Sequence, residues 1–375
     1  MVISFETLLQ AMRFCISIGS RSTIILTLIV LKFICTLLAL YVFTKFSPLL
    51  DMEQYLSGAY VNAASLRTLL VQNIVMIFSA FIGPLGVNFL FGVISLLGLV
   101  YYYFRGGTRW QLCAIVFLPG SLIWTSVIGK EAIFYGAFSL SIVLWVQFVH
   151  RRFSLLDLGL LIPSLVFCFV LRPHYGLVIP WLFMSVILID KFHTKAWVFL
   201  SFILCLSYAL ISSFLWETML RYGFYGIDPD ARASRFISFG IDQLTGEGFA
   251  KYKALLPLGA ILGIVGPTPS EVLTRPILAP FLIEGLLILI FPMLVYLYAL
   301  RQSFMEQSRF KNIFWMSLVP AIVMLIVLHS PFGVLNPGSA IRWRVNFELL
   351  FHMAPMLLLC SFLDKKSREN SSLSS

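Results

Sequence analysis

Cationic side chains recur where the chain enters or leaves its long apolar segments. The residues of this kind that we consider candidates for binding are Lys130, Arg172, His174, Arg342 and Arg344. Arginine presents a planar pair of N–H donors that matches phosphate oxygens, and histidine donates a hydrogen bond or moves a proton. We expect this set to bind an anion held at the membrane surface, such as a lipid phosphate or diphosphate.

Each of these residues also has a simpler interpretation. The three arginines can extend their side chains to lipid headgroups without binding a substrate. Lys130 and Glu131 can act as a pair that caps a helix, and His174 can be an ordinary residue of the membrane interface. The residues alone leave both interpretations open.

Three charged residues lie inside apolar segments, where a buried charge is costly. Lys32 is close enough to the end of its segment to reach the headgroups. Glu348 follows Arg344 by four residues, so a helical backbone would pair the two side chains. Glu284 has no basic neighbour in sequence, and we expect a cation from another helix to meet it. We assign Glu284 and Glu348 a structural or gating role.

The composition places all of these residues in a membrane protein. The chain has 375 residues, of which 59% are hydrophobic and 12% charged, with a net charge of +10. Soluble domains carry roughly 25% charged residues, so a soluble enzyme, a disordered protein and a nucleic-acid-binding module are excluded. Long apolar runs exclude an outer-membrane barrel, and backbone groups in lipid must be paired within each segment. The chain is therefore predicted to be an all-α polytopic membrane protein.

Ten transmembrane helices are predicted within a single integral membrane domain, 1–375. They cover 24–44, 83–104, 112–129, 132–149, 156–171, 175–190, 196–215, 277–300, 312–330 and 345–363. If the N-terminus is cytoplasmic, the cytoplasmic loops contain most of the basic residues. This distribution predicts that both termini are cytoplasmic.

Two outer loops are longer than a connection requires. The first, 45–82, contains an apolar stretch, Leu69–Ile82, that we interpret as an amphipathic helix on the outer surface. The second, 216–276, contains a semi-apolar stretch, Ala254–Gly266, that is expected to dip into the membrane and return. The halves of the chain show no repeat symmetry, which argues against a secondary transporter.

Four stretches of the chain resemble one group of bacterial membrane proteins. Leu118 to Glu131 is similar to the Pro-Ser-x₂-x-Trp-Ser-Ser-x₃-Lys-Glu/Asp stretch of Wzy-type O-antigen and capsular polysaccharide polymerases and related GT-C-like glycosyltransferases. The other three stretches are Arg172-Pro173-His174, Gly266 to Glu271 followed by Glu284, and Arg342-Trp343-Arg344. The sequence departs from the group at Gly266, where many relatives carry arginine, and at Gly120, where serine is usual.

The resemblance implies a GT-C-like fold and glycosyl transfer from a polyprenyl-diphosphate-linked sugar. Lys130, Arg172, His174, Arg342 and Arg344 would stabilise the departing diphosphate. By analogy with GT-C enzymes, Asp51 or Glu53 in the first outer loop would be the catalytic carboxylate, with Glu131 as the second candidate. Asp51 and Glu53 also suit simple solvation of a loop. No cofactor is implied, although the acidic first loop leaves a divalent metal open.

The expected activity is polymerisation of O-antigen or capsule repeat units at the outer face of a bacterial inner membrane. The expected partners are the lipid-linked glycan, membrane lipid, a chain-length regulator and a flippase, with no nucleic acid. Two alternatives remain: a transporter or flippase of the lipid-linked oligosaccharide, and a transferase that adds one sugar from a polyprenyl phosphate.

Overall fold

The protein is entirely helical in the parts that the structure describes. The computed structural model describes residues 21–46, 49–60, 65–107, 110–191, 198–199, 202–206, 235, 246–301, 308–335 and 337–360. The regular elements in these ranges are α-helices with short 3₁₀ and π segments, as the composition predicted. The chain divides into two compact units, residues 1–140 and 141–375.

The first unit contains the helices up to the start of α6. They are α1 (Arg21–Tyr41), α2 (Leu50–Leu56), α3 (Leu66–Ser95), α4 (Leu97–Phe104), α5 (Pro119–Trp124) and the first half of α6 (Lys130–Val149). Helix α3 changes direction at Gly83, which has φ 68° and ψ 174° and precedes Pro84. Proline favours the first turn of a helix, so a new helical segment starts where the predicted span 83–104 begins. The placement of 45–82 at a membrane surface stays a prediction.

The predicted span 112–129 is wrong as a continuous helix. The chain forms a 3₁₀ segment, Trp110–Phe117, then the six-residue α5, and then an irregular stretch, 125–129. Lys32 crosses from α1 to this region, where its ammonium donates to the Thr125 hydroxyl at 2.5 Å and to the Ser121 carbonyl at 3.2 Å. Irregular backbone in a membrane protein must find its hydrogen bonds within the protein. The buried lysine therefore supplies donors that a regular helix would not need.

The second unit contains the remaining helices. They are α7 (Leu155–Leu171), α8 (Pro173–Gly176), α9 (Val178–Lys191), α10 (Gly246–Ala254), α11 (Leu256–Val265), α12 (Pro269–Thr274), α13 (Ala279–Arg301), α14 (Ser308–Ile313), α15 (Val319–Leu335), α16 (Pro337–Arg344) and α17, residues 349–360. A π turn, Phe314–Leu318, joins α14 to α15. The predicted span 196–215 lies mostly outside the described residues.

Glycines let α11 and α15 pack with their backbones in contact. A Cβ atom on Gly259 would lie 2.3 Å from the carbonyl oxygen of Ser330, and one on Gly333 would lie 2.0 Å from the carbonyl oxygen of Gly259. Gly263 follows Gly259 by four residues and also faces α15. Small residues at this spacing are typical of close helix packing in membranes. Helix α11 has ten residues, which at 1.5 Å per residue span about 15 Å, too short to cross a bilayer.

Six helices among the described residues are long and apolar enough to cross a membrane. They are Arg21–Lys45, Leu66–Ser95, Lys130–Val149, Pro173–Lys191, Pro276–Leu297 and Arg309–Val334. The most apolar stretch of Lys130–Val149 is 89% buried, whereas those of Leu66–Ser95 and Pro276–Leu297 are 22% buried. Because lipid must cover exposed apolar side chains, the latter two are suited to face the bilayer.

We predict that Gly259→Ala destabilises the protein, whereas Gly159→Ala does not. The first substitution places a methyl group against the Ser330 backbone, which should cost about 1–3 kcal/mol. Gly159 lies in α7, where an added Cβ atom would have no neighbour within 4 Å, so alanine there should stabilise the helix by up to about 1 kcal/mol. Thermal unfolding in detergent measures both effects. Equal midpoints for the two variants would contradict the close packing of α11 and α15.

Candidate functional site

Arg172 and Trp343 bring together two stretches that are far apart in sequence. Arg172 lies between α7 and Pro173, whose ring prevents α7 from continuing. Its guanidinium carbon lies 4.4 Å from the centre of the Trp343 ring, and the side chain is only 3% exposed. A guanidinium over an indole face is a favourable cation–π contact, and its strength grows as water is removed. The two stretches therefore meet through a largely desolvated cation.

A chain of hydrogen bonds runs beside this contact. The Tyr175 hydroxyl lies 2.7 Å from Nδ1 of His329, and Nε2 of His329 lies 3.1 Å from the carbonyl oxygen of Ala340. A carbonyl can only accept, so His329 donates from Nε2 and accepts from the tyrosine through Nδ1. Phe347 packs on both rings, with ring centres 4.9 Å from each. The chain links α8, α15 and α16, the elements that carry or adjoin Arg172 and Trp343.

Arg344 is fully buried and binds the end of helix α11. Its guanidinium donates to the carbonyl oxygens of Ile264 at 2.7 Å and Val265 at 3.2 Å, and to that of Phe281 at 3.2 Å. It also forms an ion pair with Glu284, whose side chain is equally buried. The last carbonyls of a helix have no partner within the helix and attract a cation. Arg344 therefore satisfies α11 and neutralises Glu284 at once.

The observed partner of Arg344 differs from the one that sequence spacing favoured. Glu348 was expected to pair with Arg344 on a helical face, but residues 345–348 form a turn rather than a helix. The Glu348 N–H still donates to the Arg344 carbonyl at 3.0 Å, as in one helical turn, but the Arg344 guanidinium pairs with Glu284 instead. The cation from another helix that was expected to meet Glu284 is Arg344.

A second arginine holds the turn that follows α11. Arg235 donates to both carboxylate oxygens of Glu271 at 2.7 and 2.8 Å, to the Gly266 carbonyl at 2.7 Å and to the Gly333 carbonyl at 2.6 Å. Gly266 has φ 90°, a backbone conformation that favours glycine. Burial would raise the pKa of the Glu271 carboxyl, but hydrogen bonds from Arg235 and Thr268 outweigh it and lower the pKa below its usual value. Glu271 therefore stays ionised at neutral pH.

We call the set Arg172, His174, Arg342, Trp343 and Arg344 the arginine–tryptophan cluster. His174 packs against Tyr175, with ring centres 4.1 Å apart. The ring centre of Phe332 lies 6.4 Å from that of His174 and 4.0 Å from that of Trp343. His174, Arg342 and Trp343 are partly exposed, whereas Arg172 and Arg344 are buried. The partly exposed members are therefore the ones able to contact an anion directly, whereas the charge of Arg344 is paired with that of Glu284.

The remaining candidate residues lie in the first unit. Lys130 and Glu131 form the first turn of α6, after the irregular stretch 125–129, and Glu131 is buried whereas Lys130 is partly exposed. Asp51 and Glu53 lie in the first turn of α2, where negatively charged side chains interact favourably with the positive end of the helix dipole. Within the described ranges, no group of three His, Cys, Asp or Glu side chains lies close enough to hold a metal ion.

Sequence reasoning missed three residues of the second unit. His329 and Tyr175 were not among the candidates, although a histidine inside an apolar segment is itself a signal for a paired or functional residue. Arg235 lies in the long polar loop, and its spacing from Glu271 and Gly333 carries no local pattern. Tertiary contacts alone identify its partners.

No protein-family model, no curated protein and no solved structure matches the chain. Any functional assignment therefore rests on the geometry of the cluster and the chemistry of its side chains.

We predict that Arg344→Met destabilises the protein by about 3–5 kcal/mol, because it removes the buried cation that is paired with Glu284 and the donor to the α11 carbonyls. Arg275→Met is the matched control, since Arg275 is exposed in the same unit and should change stability by less than about 0.5 kcal/mol. The double variant Arg344→Met/Glu284→Met should be more stable than Arg344→Met, because the buried carboxylate that paired with Arg344 is also removed. Thermal unfolding in detergent compares the three. A double variant no better than the single one would argue against the ion pair.

Proposed function

We propose that the protein is a membrane glycosyltransferase that acts on a polyprenyl-diphosphate-linked oligosaccharide and polymerises repeat units of a surface polysaccharide. One observation carries the proposal: three stretches that resemble the polymerase group come together around the arginine–tryptophan cluster. Arg172 contacts Trp343, and the neighbouring Arg344 binds Glu284 and the backbone that leads into Gly266. A shared site requires that these stretches lie together, and this arrangement supports the proposal.

The cluster suits the leaving group of this reaction. In glycosyl transfer the acceptor oxygen bonds to the anomeric carbon as the bond from that carbon to the diphosphate oxygen breaks, so negative charge grows on the diphosphate. Cations already in position stabilise that charge without reorganising. Arg342 is partly exposed and open to contact with the diphosphate, and His174 and Lys130 are further candidates. Arg172 strengthens the local positive potential from its place on Trp343.

The acceptor hydroxyl must lose a proton as it attacks, and a carboxylate is the expected recipient. Asp51 is partly exposed and Glu53 is exposed, so both are open to a substrate, whereas Glu131 is buried. We assign the role of base to Asp51 or Glu53 and keep Glu131 as the second candidate. Arg344, Glu284 and Glu348 act in this proposal as residues that position the cluster.

The proposal keeps the orientation that the sequence predicts, although 112–129 is not one continuous helix. The chain is a GT-C-like protein of the bacterial inner membrane with both termini in the cytoplasm and the cluster at the outer face. The apolar helices and the concentration of basic residues in alternate loops support it.

A strain that lacks the gene should make surface glycan with a single repeat unit on its lipid core and no ladder of longer chains. Repeat units would still be exported and attached, because only their joining is lost. Gel electrophoresis of the surface glycan provides the measurement. Absence of repeat units at the surface, with lipid-linked units trapped inside, would indicate a flippase. A shortened repeat unit would indicate a transferase that adds one sugar.

Complementation of that strain with Arg342→Ala should restore the protein level but not the ladder. Loss of one preorganised donor to a developing anion lowers the rate on the order of 10²-fold. Arg275→Ala removes an exposed arginine outside the cluster and should restore the ladder fully. Immunoblots of the membrane fraction control for protein level. A normal ladder with Arg342→Ala would remove Arg342 from the proposed site.

A further inference from the structure

A basic patch lies at the ends of three apolar segments in the second unit. We define it as Arg151, Arg152, Lys191, Arg309 and Lys311 together with Asp190. Arg309 donates to both oxygens of Asp190 at 3.2 and 3.0 Å, and Arg151 lies 3.5 Å from the same carboxylate. The end of α6, the end of α9 and the start of α14 therefore meet at one level. Positive charge predominates among these six residues, since five are basic and one is acidic.

The patch and the arginine–tryptophan cluster lie at opposite ends of the same segment. The segment Pro173–Lys191 has 19 residues, which correspond to about 28 Å at 1.5 Å per residue. A bilayer has a hydrocarbon core about 30 Å thick. Arg172 and His174 adjoin one end of this segment, and Asp190 and Lys191 lie at the other. A bilayer around this segment would therefore place the patch in the headgroup layer of the leaflet opposite the cluster.

Arg151 has a left-handed backbone conformation that is rare for arginine, which indicates a role for its side chain. The Arg152 N–H donates to the Gln147 carbonyl at 2.9 Å, and the Arg151 N–H donates to the Phe148 carbonyl at 3.0 Å. This is the Schellman arrangement, in which glycine usually occupies the left-handed position. Arg151 has φ 56° and is the only residue other than glycine with positive φ among those described. An arginine costs stability there relative to glycine, while its side chain remains 75% exposed.

We propose that the basic patch binds the headgroup of an anionic phospholipid in the leaflet opposite the arginine–tryptophan cluster. The guanidinium groups of Arg151 and Arg152 and the Lys191 ammonium supply donors for the phosphate oxygens. Asp190 binds both Arg151 and Arg309, which lie on two different elements. These two arginines are therefore held in place before a lipid binds. Clusters of basic residues beside a membrane segment attract anionic headgroups. The proposal stands independently of the glycosyltransferase assignment.

The test measures binding of phosphatidylglycerol and phosphatidylcholine to the delipidated full-length protein by native mass spectrometry. Arg151→Gly should weaken phosphatidylglycerol binding about fivefold, since each basic residue near the surface contributes to lipid attraction. Its thermal midpoint should stay the same or rise, because glycine relieves the left-handed backbone. The triple variant Arg151→Gly/Arg152→Gln/Lys191→Gln should weaken binding on the order of a hundredfold at low salt. Phosphatidylcholine binding should not change.

The control removes the same number of charges elsewhere. Lys251, Lys253 and Arg275 are exposed in the same unit, and the variant Lys251→Gln/Lys253→Gln/Arg275→Gln should keep full phosphatidylglycerol binding. Equal binding by both triple variants would overturn the proposal, as would equal affinity of the wild-type protein for the two lipids. The latter result would instead suit an acidic protein segment as the partner. The wild-type comparison needs no variant to fold, so the proposal is testable in every case.

Discussion

The carbonyl groups exposed by the break after helix α11 impose the main constraint on the second unit. Ile264 and Gly266 are buried inside the protein, so these acceptors must be satisfied by other protein groups. Arg344 binds the carbonyls of Ile264 and Val265, and Arg235 binds that of Gly266. Each of these two arginines also forms an ion pair with a carboxylate. The turn can therefore exist inside the protein, and the glycine-rich contact between α11 and α15 can form next to it.

Buried ion pairs of this kind stabilise less than their charges suggest, because both partners lose their hydration. Removing one partner costs far more, since the other charge is left without compensation. Arg344 holds the backbone after α11 and is itself fully buried. Arg342, two residues earlier, is partly exposed. Two arginines of one short helix therefore differ in role: Arg344 binds backbone carbonyls, and Arg342 is partly exposed.

The second unit carries positive charge at both ends of the segment Pro173–Lys191, but the two ends are built differently. At one end Arg172 is buried on Trp343, so its charge acts in a dry environment where electrostatic effects are strong. At the other end Arg151 is largely exposed and held near Asp190, so its charge acts through water and depends on salt. The first environment suits chemistry on an anion, and the second suits reversible attraction of a charged headgroup.

The sequence by itself determined the helical class, most of the apolar segments and the residues around which a site could form, because hydrophobic runs and interrupted helices are local features. It also indicated that Glu284 needs a distant cation. The tertiary structure alone decided which cation that is, since packing brings the Arg344 guanidinium from another element to the Glu284 carboxylate. It likewise decided that 112–129 is not one helix, because side chains of other segments bind its backbone: Lys32 donates to the Ser121 carbonyl, and Asn88 accepts from the Ile128 N–H. Pairings between distant residues depend on packing, and no local pattern encodes them.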